Sequence, residues 1–257
     1  MFKRFFSSIS QPKQIGSFLR DKLPYVLIYI LFLSFLASLP VIVEKSVQKN
    51  FDQSVTKGVE NLLYLAETNA YIENYTFTAD PMDVVMVEDG FYGVSFFQPA
   101  KRFSIVFNFM ETHLEFYLGP TLLKAYSYQE LEIESLNFNM RTNYDKEKLN
   151  QLLSVVYQDI KPLFLTSNII ALLFNDYFTY MILVLISVWS YSYFRPKLKM
   201  RYRFILATYG FTIYSISVLL GNLYDFQLLR IIGVFIGFSF TRRAYMQLLQ
   251  RKDESSV

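Results

Sequence analysis

The residue types best suited to acid-base or metal chemistry lie around the single histidine of the chain, His113. Glu111 and Glu115 flank it at a spacing of two residues, so a strand would place all three side chains on one face. Two carboxylates and an imidazole can exchange protons or bind a metal ion. They have no second histidine and no recognisable nucleophile beside them, and a solvent-facing strand is therefore the favoured interpretation.

A second acidic group has the composition of a turn. Asp80, Asp83, Glu88 and Asp89 could offer oxygen ligands to a hard cation. Their spacing matches no calcium-binding loop, and acidic residues are common in turns. The chain contains no cysteine, which excludes thiolate metal sites, thiol catalysis and disulfides. The sequence thus predicts no catalytic residue, no metal site and no cofactor, and we expect a protein that is not an enzyme.

The composition indicates a membrane protein. Of 257 residues, 53% are hydrophobic, 18% are aromatic and only 18% are charged, which is too apolar for an ordinary soluble domain. The longest apolar stretches lie in 23–43 and 163–240, whereas 44–162 carries charges throughout. We therefore expect one part of the chain in the membrane and another part in water.

The first span is predicted at residues 23–43, which carry no charge and are long enough to cross about 30 Å of hydrocarbon. A cleaved signal peptide would have a shorter apolar region, so an uncleaved anchor is expected. Asp21 is expected to cap this helix, Pro24 fits its first turn, and Pro40 is expected to bend its end. Residues 1–22 should form short amphipathic helices on the cytoplasmic membrane surface, with a frayed basic tail as the alternative.

Three further spans are predicted in the region 163–240, followed by a cytoplasmic tail at 241–257. The apolar residues 163–175 leave the start of the second span open. Gly221 and Asn222 are expected to form the turn between the last two spans. The three spans cover about 177–194, 204–220 and 226–240.

Three ionisable residues lie near predicted span ends. Asp176 and Asp225 fall at outer boundaries, where we expect helix caps rather than proton relays. Arg230 lies about one turn inside, and we expect its side chain to extend outward or to meet Asp225. Gly233 and Gly237 have the four-residue spacing that lets two helices approach closely, and a contact within the chain is favoured over a dimer.

The distribution of charge predicts the orientation of the chain. The segments expected in the cytoplasm hold 14 basic and three acidic residues, whereas 44–162 holds 10 basic and 17 acidic residues. With four spans, the positive-inside rule places both termini in the cytoplasm. Anionic lipid headgroups, rather than nucleic acid, are the expected partners of the basic residues. The predicted headgroup contacts are Lys3, Arg4, Arg195, Lys197, Lys199, Arg201, Arg203, Arg242 and Arg243.

Residues 44–162 are predicted to form an extracytoplasmic α+β domain. Apolar residues at three- or four-residue steps predict amphipathic helices from Val47 to Leu63 and from Leu149 to Ile160. Between them, short runs rich in β-branched and aromatic residues, separated by Gly, Pro and Asp, predict an antiparallel sheet. These runs are 71–78, 83–88, 91–98, 102–109, 113–118 and 130–138.

Three features of the chain are shared with a known family. They are Phe5-Phe6-Ser7-Ser8 followed by Pro12-Lys13, the span containing residues 36–40, and the basic loop 195–203 before a pair of spans. Together they resemble a domain-of-unknown-function family of Gram-positive bacterial membrane proteins, some of which are named as maltodextrin-utilization membrane proteins. The resemblance covers most of the chain. It implies a bacterial plasma-membrane location and a link to sugar uptake, but it supplies no functional residues.

Three functional classes remain open. The leading one is a non-enzymatic accessory or regulatory protein that binds another membrane or envelope component. A ligand sensor that signals through a partner is the alternative, because a helix-sheet-helix order between two spans is similar to extracytoplasmic sensory domains. The third is a membrane enzyme acting on lipid or glycan, which would require Glu111, Glu115 or Asp176 to converge. The oligomeric state is not predicted.

Overall fold

The chain divides into two compact units, one formed by Met1–Val47 with Leu163–Val257 and the other by Gln48–Pro162. The sequence placed the second of these at 44–162. The structure is a computed structural model, and it describes residues 1–65, 69–80, 86–89, 92–97, 105–194 and 198–254.

The first unit is helical. One helix, α4, begins in the second unit and ends in the first, and a 3₁₀ helix follows α1. The elements of the first unit are α1 (Phe2–Ser10), the 3₁₀ helix (Pro12–Arg20), α2 (Leu23–Val47), the later part of α4 (Asn143–Phe194), α5 (Met200–Gly210), α6 (Thr212–Leu223) and α7 (Leu228–Glu254).

Among the described residues, three helical stretches are long and apolar enough to cross a membrane. They are Leu23–Val47, Asn143–Tyr191 and Met200–Leu223, the last of which joins α5 and α6 through Phe211. The fourth predicted span, 226–240, overlaps α7, which is not one of the three. A membrane location is therefore supported by length and composition, and the number of four spans stays a prediction.

The observed helix ends differ from the predicted ones at two places. Pro40 lies inside α2, which continues to Val47 rather than ending at residue 43. The turn expected at Gly221 and Asn222 is wrong, because both residues belong to α6. The chain turns instead at residues 224–227, where Asp225 has a φ of 50°. Aspartate tolerates this left-handed conformation better than most residues do.

Tyrosines form much of the core of the first unit. Tyr29 and Tyr180 have 0% and 1% of their surface exposed. The Tyr29 hydroxyl lies 3.0 Å from Thr212 Oγ1, and the Tyr180 hydroxyl donates to the Thr208 carbonyl at 2.7 Å. A phenol buried this deeply needs such a partner, because an unpaired hydroxyl in an apolar interior is costly. These bonds therefore fix which helices lie next to one another.

The second unit combines α3 (Gln53–Leu65) and the first part of α4 with two sheets. The smaller sheet is antiparallel, has the order β2-β1-β8, and consists of β1 (Asn69–Glu73), β2 (Thr76–Asp80) and β8 (Ser135–Asn137). The larger sheet has the order β3-β4-β5-β6-β7 and consists of β3 (Met86–Asp89), β4 (Tyr92–Phe96), β5 (Ile105–Phe109), β6 (His113–Leu118) and β7 (Thr121–Ser127).

The prediction of a single antiparallel sheet is wrong. There are two sheets, and β4 and β5 pair in parallel, from Tyr92 opposite Ile105 to Phe96 opposite Phe109. Four of the five residues in each of these strands are buried. Strands buried on both faces lack the alternation of apolar and polar residues that indicates how a strand is placed, and apolar content does not encode strand direction.

Three predicted segments have different limits in the structure. Residues 71–78 form a hairpin rather than one strand, because Asn74 and Tyr75 have φ values of 50° and 60° and reverse the chain. Only the end of the run 130–138 is a strand, and β7 was not predicted at all. The helix expected from Val47 is interrupted at residues 48–52, where the Asp52 carbonyl accepts from the amides of Val55 and Thr56 at the start of α3.

Phenylalanines form the core of the second unit and join its two sheets. The ring of Phe109 on β5 lies 4.7 Å from that of Phe138, and Phe77 on β2 lies 5.0 Å from Phe96 on β4 and 5.2 Å from Phe138. All four side chains have at most 2% of their surface exposed. Because this core contains no disulfide, burial of apolar surface has to stabilise the unit.

We predict that residues 48–162 expressed alone fold in solution. Circular dichroism should show mixed helix and strand with a cooperative melt, because the described core lies inside this unit. Phe109→Ala should destabilise it by about 3–5 kcal/mol, whereas Leu122→Ala, at a side chain that is 45% exposed, should change little. A disordered spectrum for the parent fragment would show that the unit depends on the rest of the chain to fold.

Candidate functional site

The helices of the first unit bring several polar side chains together. Asp176 on α4 accepts a hydrogen bond from Ser38 Oγ on α2 at 2.7 Å. The Ser34 carbonyl lies 2.9 Å from the same hydroxyl and is a second acceptor for it. Asp176 lies well inside α4, so the prediction that it caps a helix is wrong. Its carboxylate is oriented by a neighbouring helix instead.

A second polar contact lies between α2, α6 and α7. Asn222 donates from Nδ2 to the Ala37 carbonyl at 2.9 Å, and its Oδ1 accepts from the Arg230 guanidinium. The expected meeting of Arg230 with Asp225 is therefore not observed. Asp225 is exposed in the turn, while Asn222 lies on α6 where it faces both neighbouring helices. The amide of Asn222 can serve both because it carries a donor and an acceptor.

The Arg230 guanidinium also exerts an attractive electrostatic effect on the Asp176 carboxylate. Opposite charges in a region of low dielectric offset part of the cost of removing each from water. We call Ser38, Asp176, Asn222 and Arg230 the polar cluster. Sequence reasoning identified its two charged members but not Ser38 or Asn222, because a serine and an asparagine in apolar segments have no spacing signal.

Gly233 lies where α7 approaches α6, and Gly237 lies where α7 approaches Phe211, the residue that precedes α6. A Cβ atom placed on Gly233 would lie 2.5 Å from Ser217 Cβ, and one on Gly237 would lie 2.7 Å from Phe211 Cδ1. Both distances are too short for an unstrained contact. A Cβ atom on Gly210 of α5 would be closer still to its neighbour, Thr241 Oγ1 on α7. Gly210 was not predicted because no second glycine lies four residues from it. Small residues thus allow α7 to approach both α5 and α6 closely.

The N-terminal helices are linked to the rest of the first unit through Asp21. Its carboxylate accepts from Arg4 Nε at 2.6 Å, from Arg4 Nη2 at 2.7 Å and from the Tyr209 hydroxyl at 2.5 Å. Burial acts to raise the pKa of Asp21, but the hydrogen bonds from Arg4 and Tyr209 outweigh it and lower that pKa. The carboxylate expected to cap α2 is therefore engaged by α1 and α5.

This contact also changes the role of one predicted headgroup residue. Arg4 is paired with Asp21, and its guanidinium lies 4.7 Å from the ring centre of Tyr25. Arg201 donates to the Asp21 carbonyl at 3.1 Å, although its side chain is exposed, and Arg203 is half-buried. Arg195 and Lys197 lie outside the described residues. Apart from Arg201, the exposed members of the predicted set among the described residues are Lys3, Lys199, Arg242 and Arg243, which can meet solvent or headgroups.

The candidate acid-base residues of the second unit lie in a hydrogen-bonded row across the larger sheet. Glu115 Oε2 accepts from Asn108 Nδ2 at 2.7 Å and from the Tyr117 hydroxyl at 3.0 Å, and Asn108 Oδ1 accepts from Ser95 Oγ at 2.9 Å. His113 Nε2 lies 3.5 Å from Glu115 Oε1. Burial and the hydrogen bond to the Glu115 carboxylate raise the pKa of Tyr117.

The expected trio of acidic and histidine side chains does not form. Glu111 precedes β6, and its carbonyl accepts from the Phe77 amide at 2.7 Å, so it is not on the strand face that carries His113 and Glu115. Within the described part of the chain, no three residues of the types His, Cys, Asp and Glu are arranged to hold a metal ion. The hydrogen-bonded row is therefore a structural network, in which both oxygens of the Glu115 carboxylate already have a neighbour.

The acidic residues expected to form a turn are spread over different elements. Asp80 is the last residue of β2, while Glu88 and Asp89 belong to β3, so the expected single acidic turn is wrong for these residues. Asp83 lies outside the described residues.

The N-terminal quarter of the chain is similar to a known family. The family described as "Protein of unknown function (DUF1189)" matches residues 2–64, which contain α1, the 3₁₀ helix, α2 and nearly all of α3. No curated protein matches the chain, and no solved structure matches it. The match agrees with a family of unknown function and carries no statement about the remaining residues.

We predict that Gly233→Leu and Gly237→Leu each destabilise the chain by about 1–3 kcal/mol, the usual cost of overpacking a close contact. Thermal melting of the full chain in mild detergent measures the effect. Ser239→Leu is the matched control, because it adds similar bulk to an exposed position of the same helix. A double glycine variant that melts like the parent would show that these helices do not pack closely in the protein.

Proposed function

We propose that the chain is a non-enzymatic accessory or regulatory protein of a bacterial plasma membrane that binds another integral membrane protein. In this proposal α2, the part of α4 from about residue 177, α5 with α6, and α7 are the four spans. Both termini lie in the cytoplasm, and residues 48–162 lie outside it. The support for this orientation is the excess of basic residues at one set of span ends and the acidic balance of 44–162.

The observation that carries the proposal is the unequal burial of the three long apolar stretches. Each stretch contains an apolar segment of 18 residues. The buried share of that segment is 61% in Met200–Leu223 and 39% in Leu23–Val47, but only 11% in the stretch that contains α4. The later part of α4 therefore gives most of its apolar surface to something other than its own bundle.

Six large exposed apolar residues in the later part of α4 form one stripe. They recur at steps of three or four residues, the spacing at which helices pack against helices. Aromatic rings are prominent in it, and those of Phe174 and Phe178 lie 4.9 Å apart. We call these residues the α4 stripe: Ile170, Phe174, Phe178, Ile182, Leu185 and Trp189, with 44% to 74% of each side chain exposed.

A helix of a partner protein is the occupant that we propose for the α4 stripe. Lipid chains would also cover it, but they require only an apolar surface, whereas large aromatic side chains at helical spacing supply the contact area of a protein interface. The opposite side of the same helix packs into the bundle through Tyr180, Val184 and Val188. The helix thus has one internal face and one face available to a partner.

The similarity of residues 2–64 to a family of unknown function is compatible with this proposal and does not define the partner. The resemblance to maltodextrin-utilization membrane proteins extends it to sugar uptake. In that case the partner is a component of a sugar-uptake system.

Photo-crosslinking in living cells tests the proposal. A photoreactive phenylalanine analogue in place of Phe178 or Ile182 should give one discrete adduct with another membrane protein, the same protein from both positions. Phe35 on α2 is the matched control, since its side chain is 47% exposed but lies outside the α4 stripe. Adducts with lipid alone, adducts of two copies of this chain, or the same protein adduct from position 35 would each contradict the proposal.

A further inference from the structure

A small cavity lies beside the polar cluster, between α2, α4 and α6. Its volume, measured as the space open to the centre of a water molecule, is about 10 Å³, which is about the minimum that one buried water needs. Four of the lining side chains end in a hydroxyl and one in a carboxylate. The lining residues are Ser34, Ala37, Asp176, Tyr180, Tyr214, Ser215 and Val218.

Several polar atoms at this cavity lack a partner among the described residues. Ser215 has 1% of its surface exposed, yet its hydroxyl forms no hydrogen bond with them. The Tyr214 hydroxyl also has none, and Asp176 accepts its bond from Ser38 through Oδ2 and none through Oδ1. Ser215 is buried, whereas Tyr214 and Asp176 are partly exposed, and buried polar groups without a partner are rare in folded proteins. A ligand that both donates and accepts would satisfy all three groups.

The charges at the cavity select a neutral ligand. The ionisable side chains that interact here are Asp176, which lines the cavity, and Arg230, whose positive charge acts on the Asp176 carboxyl. The remaining groups that line the cavity are neutral hydroxyls and apolar side chains. A cation bound here would leave the cluster with net positive charge in a region of low dielectric, where an unpaired charge is strongly unfavourable.

We propose that the cavity binds one water molecule that donates to Asp176 Oδ1 and is hydrogen-bonded to the hydroxyls of Ser215 and Tyr214. This water is a bridge from α4 to α6, whereas Ser38 is the direct bridge from α4 to α2. The inference does not depend on the proposed partner. The water adds a polar contact to the inner face of α4, which already packs through Tyr180, Val184 and Val188.

Filling the cavity distinguishes a bound water from an empty space. Ser215→Val replaces the hydroxyl by a methyl group and adds a second methyl group, so it should expel the water and leave Asp176 Oδ1 without a partner. The melting temperature of the full chain in mild detergent should fall by about 2–4 °C or more, the shift usual for a protein of this size. Val218→Ile fills the same cavity without removing a polar atom, and it should lower the melting temperature as well.

The loss should depend on Asp176. In an Asp176→Leu background no carboxylate needs hydration, so Ser215→Val and Val218→Ile should leave the melting temperature unchanged or raise it. If Ser215→Val does not fold, the Val218→Ile pair decides the question. A rise in melting temperature for either filling variant in the parent would show that the cavity is dry and would overturn the proposal. So would a stabilisation that requires Na⁺ over choline and is lost in Asp176→Asn, because it would assign the cavity to a cation.

Discussion

The structure of the helical unit depends on one constraint, namely that polar groups on apolar helices need hydrogen-bond partners, from other helices or from bound water. Lipid offers no hydrogen bonds, and even a dry protein interior makes an unpaired polar group costly. Ser38 with Asp176 and Asn222 with Ala37 and Arg230 satisfy this constraint between helices. These pairs connect α2 to α4 and α6, and α6 to α7, so polar pairing helps to select among the packings that apolar contacts alone would leave open.

Close backbone contact and polar pairing reinforce each other in this unit. Small residues at Gly210, Gly233 and Gly237 let α7 lie against its neighbours, which brings Arg230 within reach of Asn222. The same approach would be blocked by a side chain at any of the three positions. The α4 stripe is the apolar helical surface from which we infer a partner.

The elements of this chain were more predictable than their contacts. Apolar length and periodicity predicted the long helices and the presence of a sheet-containing region, because both signals are local in the sequence. Strand direction was not predictable, since β4 and β5 are buried on both faces and show no alternation. The partners of Asp21, Asp176 and Arg230 were predicted wrongly or not at all. Each partner lies on another helix, and a single sequence without repeats does not show which helices meet.

The central claim is that the helices cross a membrane four times with residues 48–162 outside the cytoplasm. The native chain has no cysteine, so single cysteines can be introduced at exposed positions and labelled with a membrane-impermeant thiol reagent on intact cells. Lys57→Cys should be labelled, whereas Lys199→Cys and Arg243→Cys should react only after the cells are permeabilised. Labelling at position 199 in sealed cells, or protection at position 57, would contradict the four-span arrangement.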